Sequence, residues 1–407
     1  MLAAGIGFAA TIIIARYFGA ADFGFLASMT SIWALLSPLL ALGAGRLLLR
    51  ARARAEPALA AWVLGRGALI VGALLLVVIA LAGIAGPALY DRDAALFLLA
   101  SVALVSLVLQ DPAKAVFQAR DDYMGLARWQ LLPPSARLVA VGLAGLAGAS
   151  FLGFMVLYAL TETLVIAVAL RYLWGYRREV PALPGSAVSL APRRDFLRQG
   201  APFALSGMLY TIYYQIDVLM LGLMTGLEQA GLYKAAFVFV AAAYLLPGTL
   251  FQHYLLARIF RWWEDGTDLA PRVRRGLLGC LAYGGVVAGL FALLAGPLLV
   301  MFYGEAYATA APALRWLGIA VLCHTLAIGV GAFLVTEAGI RRKVRVQIVT
   351  AVLNVAGNLL LIPVLGIMGA VVATIVTEAV LMSGYALMLV RELRHQRGVN
   401  AGLFQRA

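Results

Sequence analysis

Apolar residues along this chain gather into twelve long stretches divided by short polar segments. They lie at about 1–15, 25–45, 59–82, 94–110, 129–148, 151–174, 200–224, 232–257, 276–301, 312–336, 346–364 and 367–390. Most approach the ~20 residues a helix needs to cross ~30 Å of hydrocarbon. The pattern therefore predicts an all-α polytopic membrane protein with about 12 transmembrane helices. The first stretch is shorter than the others and has no basic leader, which points to a start upstream of Met1. A cleaved secretory signal is the competing reading, but it lacks a charged leading region, and the later topology needs this segment to stay as a helix.

Composition agrees with the pattern. Hydrophobic residues make up 63% of the chain and charged residues 13%, with a mean hydropathy of +0.94. A soluble protein of this kind would have too little polar surface to face water. Twelve spans leave only short loops and a tail, so no soluble catalytic domain fits. Cys280 and Cys323 both lie inside apolar stretches, where packing thiols are expected rather than a disulfide framework or a metal site.

The net charge of +13 would suit a nucleic-acid partner if it were spread or patched at random. Instead the basic residues follow the parity of the loops. Arg46, Arg50, Arg52, Arg54 and Arg66 form one group, and Lys114, Arg120, Arg128 and Arg137 the next. Arg171, Arg177, Arg178, Arg193, Arg194 and Arg198 follow, then Arg258, Arg261, Arg272, Arg274 and Arg275. The last two groups are Arg341, Arg342, Lys343 and Arg345, and Arg391, Arg394, Arg397 and Arg406. Of the 32 basic residues only Arg16, Arg92, Lys234 and Arg315 are left for the other side. The positive-inside rule then puts both termini in the cytoplasm, as an even number of spans requires, and the basic loops need no nucleic acid to explain them.

The longest hydrophilic loop, about Tyr176 to Gln199, carries Pro181, Pro184 and Pro192 and has six spans on each side. It divides the chain into an N-terminal six-helix bundle (1–175), a cytoplasmic linker (176–199), a C-terminal six-helix bundle (200–391) and a cytoplasmic tail (392–407). After the first span comes Gly19-Ala-Ala-Asp-Phe-Gly24, and after the seventh comes Gly226-Leu-Glu-Gln-Ala-Gly231, with the same glycine spacing at the same topological position. Internal duplication of this sort is common in transporters, where the substrate path lies between the repeats.

Several segments carry a family resemblance. Ala15-Arg-Tyr-Phe-Gly-Ala-Ala-Asp-Phe-Gly24 resembles the first outer turn of the lipid-linked oligosaccharide flippases, the polysaccharide-export branch of the multidrug/oligosaccharidyl-lipid/polysaccharide (MOP) exporter superfamily. Tyr214-Gln-Ile-Asp217-Val-Leu-Met-Leu-Gly222, Ala230-Gly-Leu-Tyr-Lys-Ala-Ala236 and Asn354-Val-Ala-Gly-Asn358, continuing through Pro363 and Gly366 to Ala370, are similar to that family in the same order. The resemblance implies two six-helix bundles in a V around a central cavity that opens alternately to each membrane face. It also implies a cargo of undecaprenyl-pyrophosphate-linked oligosaccharide, moved to the outer leaflet for polysaccharide, O-antigen and lipopolysaccharide synthesis. The implied setting is the bacterial inner membrane, with lipids, a glycan polymerase or glycosyltransferases as partners.

Ionisable groups inside a membrane are costly, at roughly 2.5–3.5 kcal/mol each on insertion scales, so they should face a cavity or a partner. Tyr210, Tyr213, Tyr214 and Asp217 fall at helical spacing on one face of the seventh span. That face either lines a sugar-accepting path, or packs against its neighbours with Asp217 paired to Lys234. A pyrophosphate needs cations, and the arginine fork suits it. Arg16, Arg46 and His253 are the cationic candidates, against interfacial snorkelling or a satisfied core histidine as the alternatives. Arg137 reads as an anchor at the inner edge. Glu162 and Glu378 lie at comparable places in the last span of each half. Each either carries a coupling proton or bonds to neighbouring threonines such as Thr161, Thr163, Thr374 and Thr377. Asn354 and Asn358, one turn apart, read as interhelical glue. Gly285 and Gly289 read as a close-packing pair.

The chain has no G-x-x-x-x-G-K-[ST] sequence, so transport is expected to run downhill or on a gradient, with H⁺ or Na⁺ as the coupling ion and no other cofactor. Gly5-Ile-Gly7 lies within a membrane span and is no dinucleotide site. No two of His253, His324 and His395 have zinc-ligand spacing, so no metal is expected. Two other readings remain open. A multidrug or cation antiporter would share the fold but favours an acid-rich cavity, and a glycan polymerase or ligase would need a larger outer loop than the segment near Tyr303 to Ala311.

Overall fold

The computed structural model describes residues 2–180, 208, 211–265, 269–335 and 337–404. Within these residues the chain is helical and no strand occurs. We number the helices α1 (Leu2–Leu40), α2 (Ala44–Ala53), α3 (Pro57–Tyr90), α4 (Ala94–Ala119), α5 (Tyr123–Leu146) and α6 (Phe151–Glu179). They continue with α7 (Thr211–Met224), α8 (Leu227–Thr249, extended by Leu250–Leu255 and Leu256–Glu264), α9 (Ala270–Tyr303), α10 (Ala311–Ala332), α11 (Glu337–Leu365) and α12 (Ile367–Phe404).

Nine helices among the described residues are long and apolar enough to cross a membrane. The twelve expected spans map onto this set with three differences. The first two share the Leu2–Ala53 segment of 52 residues and part at Gly19, whose φ of 81° and ψ of 177° interrupt α1. The fifth, α5, is 24 residues long, but Arg128, Gln130 and Arg137 dilute its apolar run. Only Thr211–Met224 of the seventh is described as a continuous helix.

Helix ends follow local signals. Asp122 accepts from the Gly125 amide at 2.7 Å, and Ser150 from the Gly153 amide at 3.3 Å. Each cap satisfies a backbone donor at the start of α5 or α6 that the helix itself cannot.

By its internal packing the chain divides into Met1–Gly231 and Leu232–Ala407, and the division falls inside α8. The expected linker at 176–199 lies outside the described residues beyond Val180.

In the first unit, α4 packs against α6, α2 and α1, and α6 against α5. One core joins Leu47, Leu48, Trp62, Val116 and Tyr176; another joins Phe117, Trp129 and Val165. In the second unit α10 lies between α9 and α12, and α11 packs on α12.

The third helix of each six is the least covered. Only 6% of the apolar window of α3 and 17% of that of α9 is buried, against 44% for α4 and 61% for the segment containing α10. Side chains such as Leu69, Leu76, Ile84 and Leu293 are therefore left exposed. In water this would be an aggregation surface. In a bilayer it is the lipid face.

Candidate functional site

The loops with basic groups gather at one end of each unit. In the first, the C-termini of α2, α4 and α6 meet the N-terminus of α3 through Ala51, Trp62, Ala119 and Tyr176. There Arg120 bridges to Glu179 at 2.6 Å, and Arg50 to Glu56 at 3.7 Å. At the other end Phe25 touches Phe97 and Phe151, and Arg92, one of the four basic residues of opposite parity, pairs with Asp22 at 2.8 Å. In the second unit, Trp263 at the end of α8 donates to the Phe333 carbonyl at 2.9 Å. Arg272 at the start of α9 covers the Trp262 ring at 4.8 Å, and Lys343 in α11 donates to the Gly331 carbonyl at 3.2 Å. Again the ends with basic loops lie together.

Of the candidates in the first unit, Arg16 and Arg46 are exposed, on α1 and α2. Gly45, next to Arg46, faces Asp111 of α4 so closely that a Cβ there would meet the Asp111 backbone. Asp217 is buried on α7 at 4% exposure, and the Tyr213 and Tyr214 rings meet edge to face at 5.2 Å. Tyr210 lies outside the described residues. The docking of α7 on α1 involves a residue that helical spacing alone did not single out. Ser31 donates to the Gln215 side-chain oxygen at 3.1 Å, and about two turns further on Gly222 lies against Ser28.

A second polar group joins α4, α5 and α6. Arg137 donates to the Tyr158 hydroxyl at 3.1 Å, and its guanidinium lies 5.5 Å from the ring centroid. Glu162, buried at 3% exposure, adds its negative charge to Arg137 and Tyr158, with Ser106 beside its carboxyl. The flanking threonines bond along their own helix, Thr161 to the Tyr158 carbonyl at 2.9 Å and Thr163 to that of Ala159 at 2.8 Å. Arg137 is thus held within the unit by a tyrosine one helix away.

In the second unit Lys234 is half-buried on α8, and the His253 side chain lies outside those described. Asn354 and Asn358 are buried on α11, where Asn358 donates along the helix to the carbonyl and side-chain oxygen of Asn354, at 2.9 and 3.3 Å. Thr374 of α12 meets the Tyr233 hydroxyl at 3.2 Å. Glu378 meets His324 of α10, whose Nδ1 is 3.0 Å from both carboxylate oxygens. The Tyr244 ring stacks on that imidazole at 3.7 Å. From the sequence His324 was noted only for lacking zinc-ligand spacing with the other histidines. Its 54-residue separation from Glu378 left no local signal. Among the described residues no group of three or more His, Cys, Asp or Glu side chains is placed to hold a metal ion.

Helices of this length, arranged as two units, define a class. The chain is similar to an inward-facing multidrug resistance MATE family transporter of the MOP superfamily, with a TM-score of 0.73 and 13% identity over 97% of this chain and 95% of that one. It is also similar to the lipid II flippase MurJ in an inward closed conformation, with a TM-score of 0.68 and 12% identity over 97% and 88% of the two chains. A MOP superfamily transporter from Pyrococcus furiosus Vc1 matches with a TM-score of 0.56 and 13% identity over 97% and 92%. At these identities the likeness is one of fold: this is a multi-pass, all-α membrane protein with the MOP transporter fold, whose members have twelve helices in two bundles. The family model described as polysaccharide biosynthesis protein matches residues 1–252, and the chain belongs to that family. No curated protein sequence matches it.

Proposed function

We propose that the chain is a flippase that moves undecaprenyl-pyrophosphate-linked oligosaccharide from the cytoplasmic to the outer leaflet of the bacterial inner membrane, supplying polysaccharide or O-antigen synthesis. The observation that carries this reading is the match to the polysaccharide biosynthesis family over residues 1–252. Transport runs by alternating access, the cargo path opening in turn to each membrane face. The polyprenyl tail stays in the bilayer while the head group crosses through water. The protein moves its cargo without altering it. Both termini face the cytoplasm, a reading supported by the gathering of the basic loops at one end of each unit.

An anionic head group cannot cross hydrocarbon unaided, since burying even one unpaired charge costs several kcal/mol or more. Arg16 and Arg46 are the cations assigned to the pyrophosphate, since the planar guanidinium fork matches phosphate oxygens. Tyr213, Tyr214 and Asp217 offer ring faces and a carboxylate to sugar hydroxyls. The test is transbilayer movement of a lipid-pyrophosphate-linked oligosaccharide in proteoliposomes, comparing the intact chain with Arg46→Ala and Asp217→Asn at matched stability. Movement by the intact chain that a substitution abolishes supports the reading and that residue's part in it. No movement across a panel of glycans, with export of a small cationic dye against a proton or sodium gradient, replaces it with a multidrug or cation antiporter.

A further inference from the structure

Helices α6 and α12 start alike. Phe151-Leu-Gly-Phe-Met-Val-Leu-Tyr-Ala-Leu-Thr-Glu162 and Ile367-Met-Gly-Ala-Val-Val-Ala-Thr-Ile-Val-Thr-Glu378 run in register from their first residues. Gly153 aligns with Gly369, Val156 with Val372, Thr161 with Thr377, and Glu162 with Glu378. Both glutamates are buried. In each unit the glutamate also meets a polar side chain from the fourth helix of its six: Ser106 of α4 beside Glu162, and His324 of α10 on Glu378.

What differs is the compensating charge. Glu162 shares its site with Arg137, a cation that keeps its proton at any pH a cell reaches. The partner of Glu378 is an imidazole, the side chain that gains and loses a proton near neutrality. Other titratable groups face the pair. Tyr244 of α8 stacks on the imidazole, and Cys323 of α10 and Tyr385 of α12 lie within electrostatic reach of Glu378. From α11, Lys343 sits 5.5 Å from the centroid of the Tyr385 ring. From α9, Tyr283 donates to the Ala243 carbonyl at 2.8 Å, one residue from Tyr244, and Cys280 lies against Gly329 of α10. Tyrosine, cysteine and lysine side chains ordinarily titrate at about 8.5 or higher.

We propose that His324 and Glu378 form a proton-binding site inside the second unit that is loaded from one face of the membrane and emptied to the other during transport. The proposal rests on the flippase reading for its cargo, but not for its chemistry. In the empty state the imidazole is neutral, its Nδ1–H donates to both carboxylate oxygens, and the pair carries one negative charge. One proton from water binds the pair, making it neutral overall; release reverses the step, and no electrons move. Loading therefore changes the charge of a buried site by one unit. A change of that kind can bias two conformations that expose the site to opposite faces.

The chain has three histidines, so the intact protein labelled with ¹⁵N-histidine in nanodiscs gives few imidazole signals. The His324 signal is assigned by its loss in His324→Gln and followed between about pH 5 and 8. We expect it to titrate in that range, with a midpoint displaced in Glu378→Gln and undisplaced in Glu162→Gln. In proteoliposomes, an imposed pH gradient is expected to accelerate movement of a fluorescent lipid-pyrophosphate-linked glycan. Both His324→Gln and Glu378→Gln lose that response. An imidazole that does not titrate, a midpoint indifferent to Glu378→Gln, or a gradient response surviving in both variants overturns the proton site, even in a protein that flips. If His324 titrates as stated but no lipid-linked glycan moves, the proton site stands and the flippase reading falls.

Discussion

Arg137 and Tyr158 are joined twice, by a 3.1 Å hydrogen bond from the guanidinium to the hydroxyl and by the approach of that guanidinium to within 5.5 Å of the ring centroid. Glu162, one turn along α6 from Tyr158, balances the charge. Removing one member of such a buried group strands the other. Arg137→Ala is expected to destabilise by about 3–5 kcal/mol, seen as a large fall in melting temperature in detergent. Adding Glu162→Gln to Arg137→Ala should recover much of the loss. A double variant no better than the single would mean that the arginine acts through its packing alone.

The two glycine motifs meet. A Cβ on Gly24 would strike the Leu227 carbonyl and the Gly231 amide, and a Cβ on Gly231 would strike the Ala20 carbonyl and the Gly24 amide. Backbone cannot swing aside as a side chain can, so Gly24→Ala and Gly231→Ala should each cost about 1–3 kcal/mol or more from overpacking. Gly5→Ala, where nothing stands within 4 Å, is the helix-interior control and should be neutral or stabilising by up to ~1 kcal/mol. Chemical or thermal unfolding of the three variants side by side reads the difference.

The ion pair between Arg120 and Glu179 is shorter, at 2.6 Å, but its side chains are 31% and 56% exposed. Arg120→Ala is expected to shift stability by no more than about 1 kcal/mol. Melting in low and high salt checks this, since whatever the pair contributes should fade as salt rises.

Orientation is open to a direct test. Ala55 and Asp121 lie in turns at the end of the first unit where basic loops gather, and Asp91 at the end that holds Arg92. Ala55→Cys and Asp121→Cys should react with an impermeant maleimide only from the cytoplasmic face, and Asp91→Cys only from the outside. The reverse pattern would turn the protein over.

Hydropathy carried much of the fold because lipid enforces it. The spans at 94–110, 151–174 and 276–301 became α4, α6 and α9, each running a few residues past the apolar stretch, since helix geometry continues where hydropathy ends. The break between the first two spans was less legible, because a single residue, Gly19, makes it. The π-helical turns at Val63–Gly67 and Leu250–Leu255 left no apolar signature. Among the candidates, Glu162 and Glu378 could be singled out because a buried acid stands out against leucine and valine. Their partners could not, because Arg137 read as an edge anchor and His324 showed only the absence of zinc-ligand spacing, and a span's own sequence says nothing about which helix it faces. The Ser31 to Gln215 bond, between residues 184 apart, was invisible for the same reason.

The meeting of Gly24 with Gly231 has the form of a handshake between equals. In each motif the second residue, Ala20 or Leu227, presents its carbonyl to the sixth residue of the other, and the first, Gly19 or Gly226, turns the chain at positive φ. Such reciprocity is isologous, the geometry by which two copies of one chain pair around a twofold axis. Here one polypeptide carries both hands, so the pairing is intramolecular and does not depend on protein concentration. Joined in this way, the motifs are released from being identical. One keeps Asp22 for its bridge to Arg92, while the other places Glu228 at the corresponding turn of α8, a divergence that a symmetric pair of separate chains could not encode.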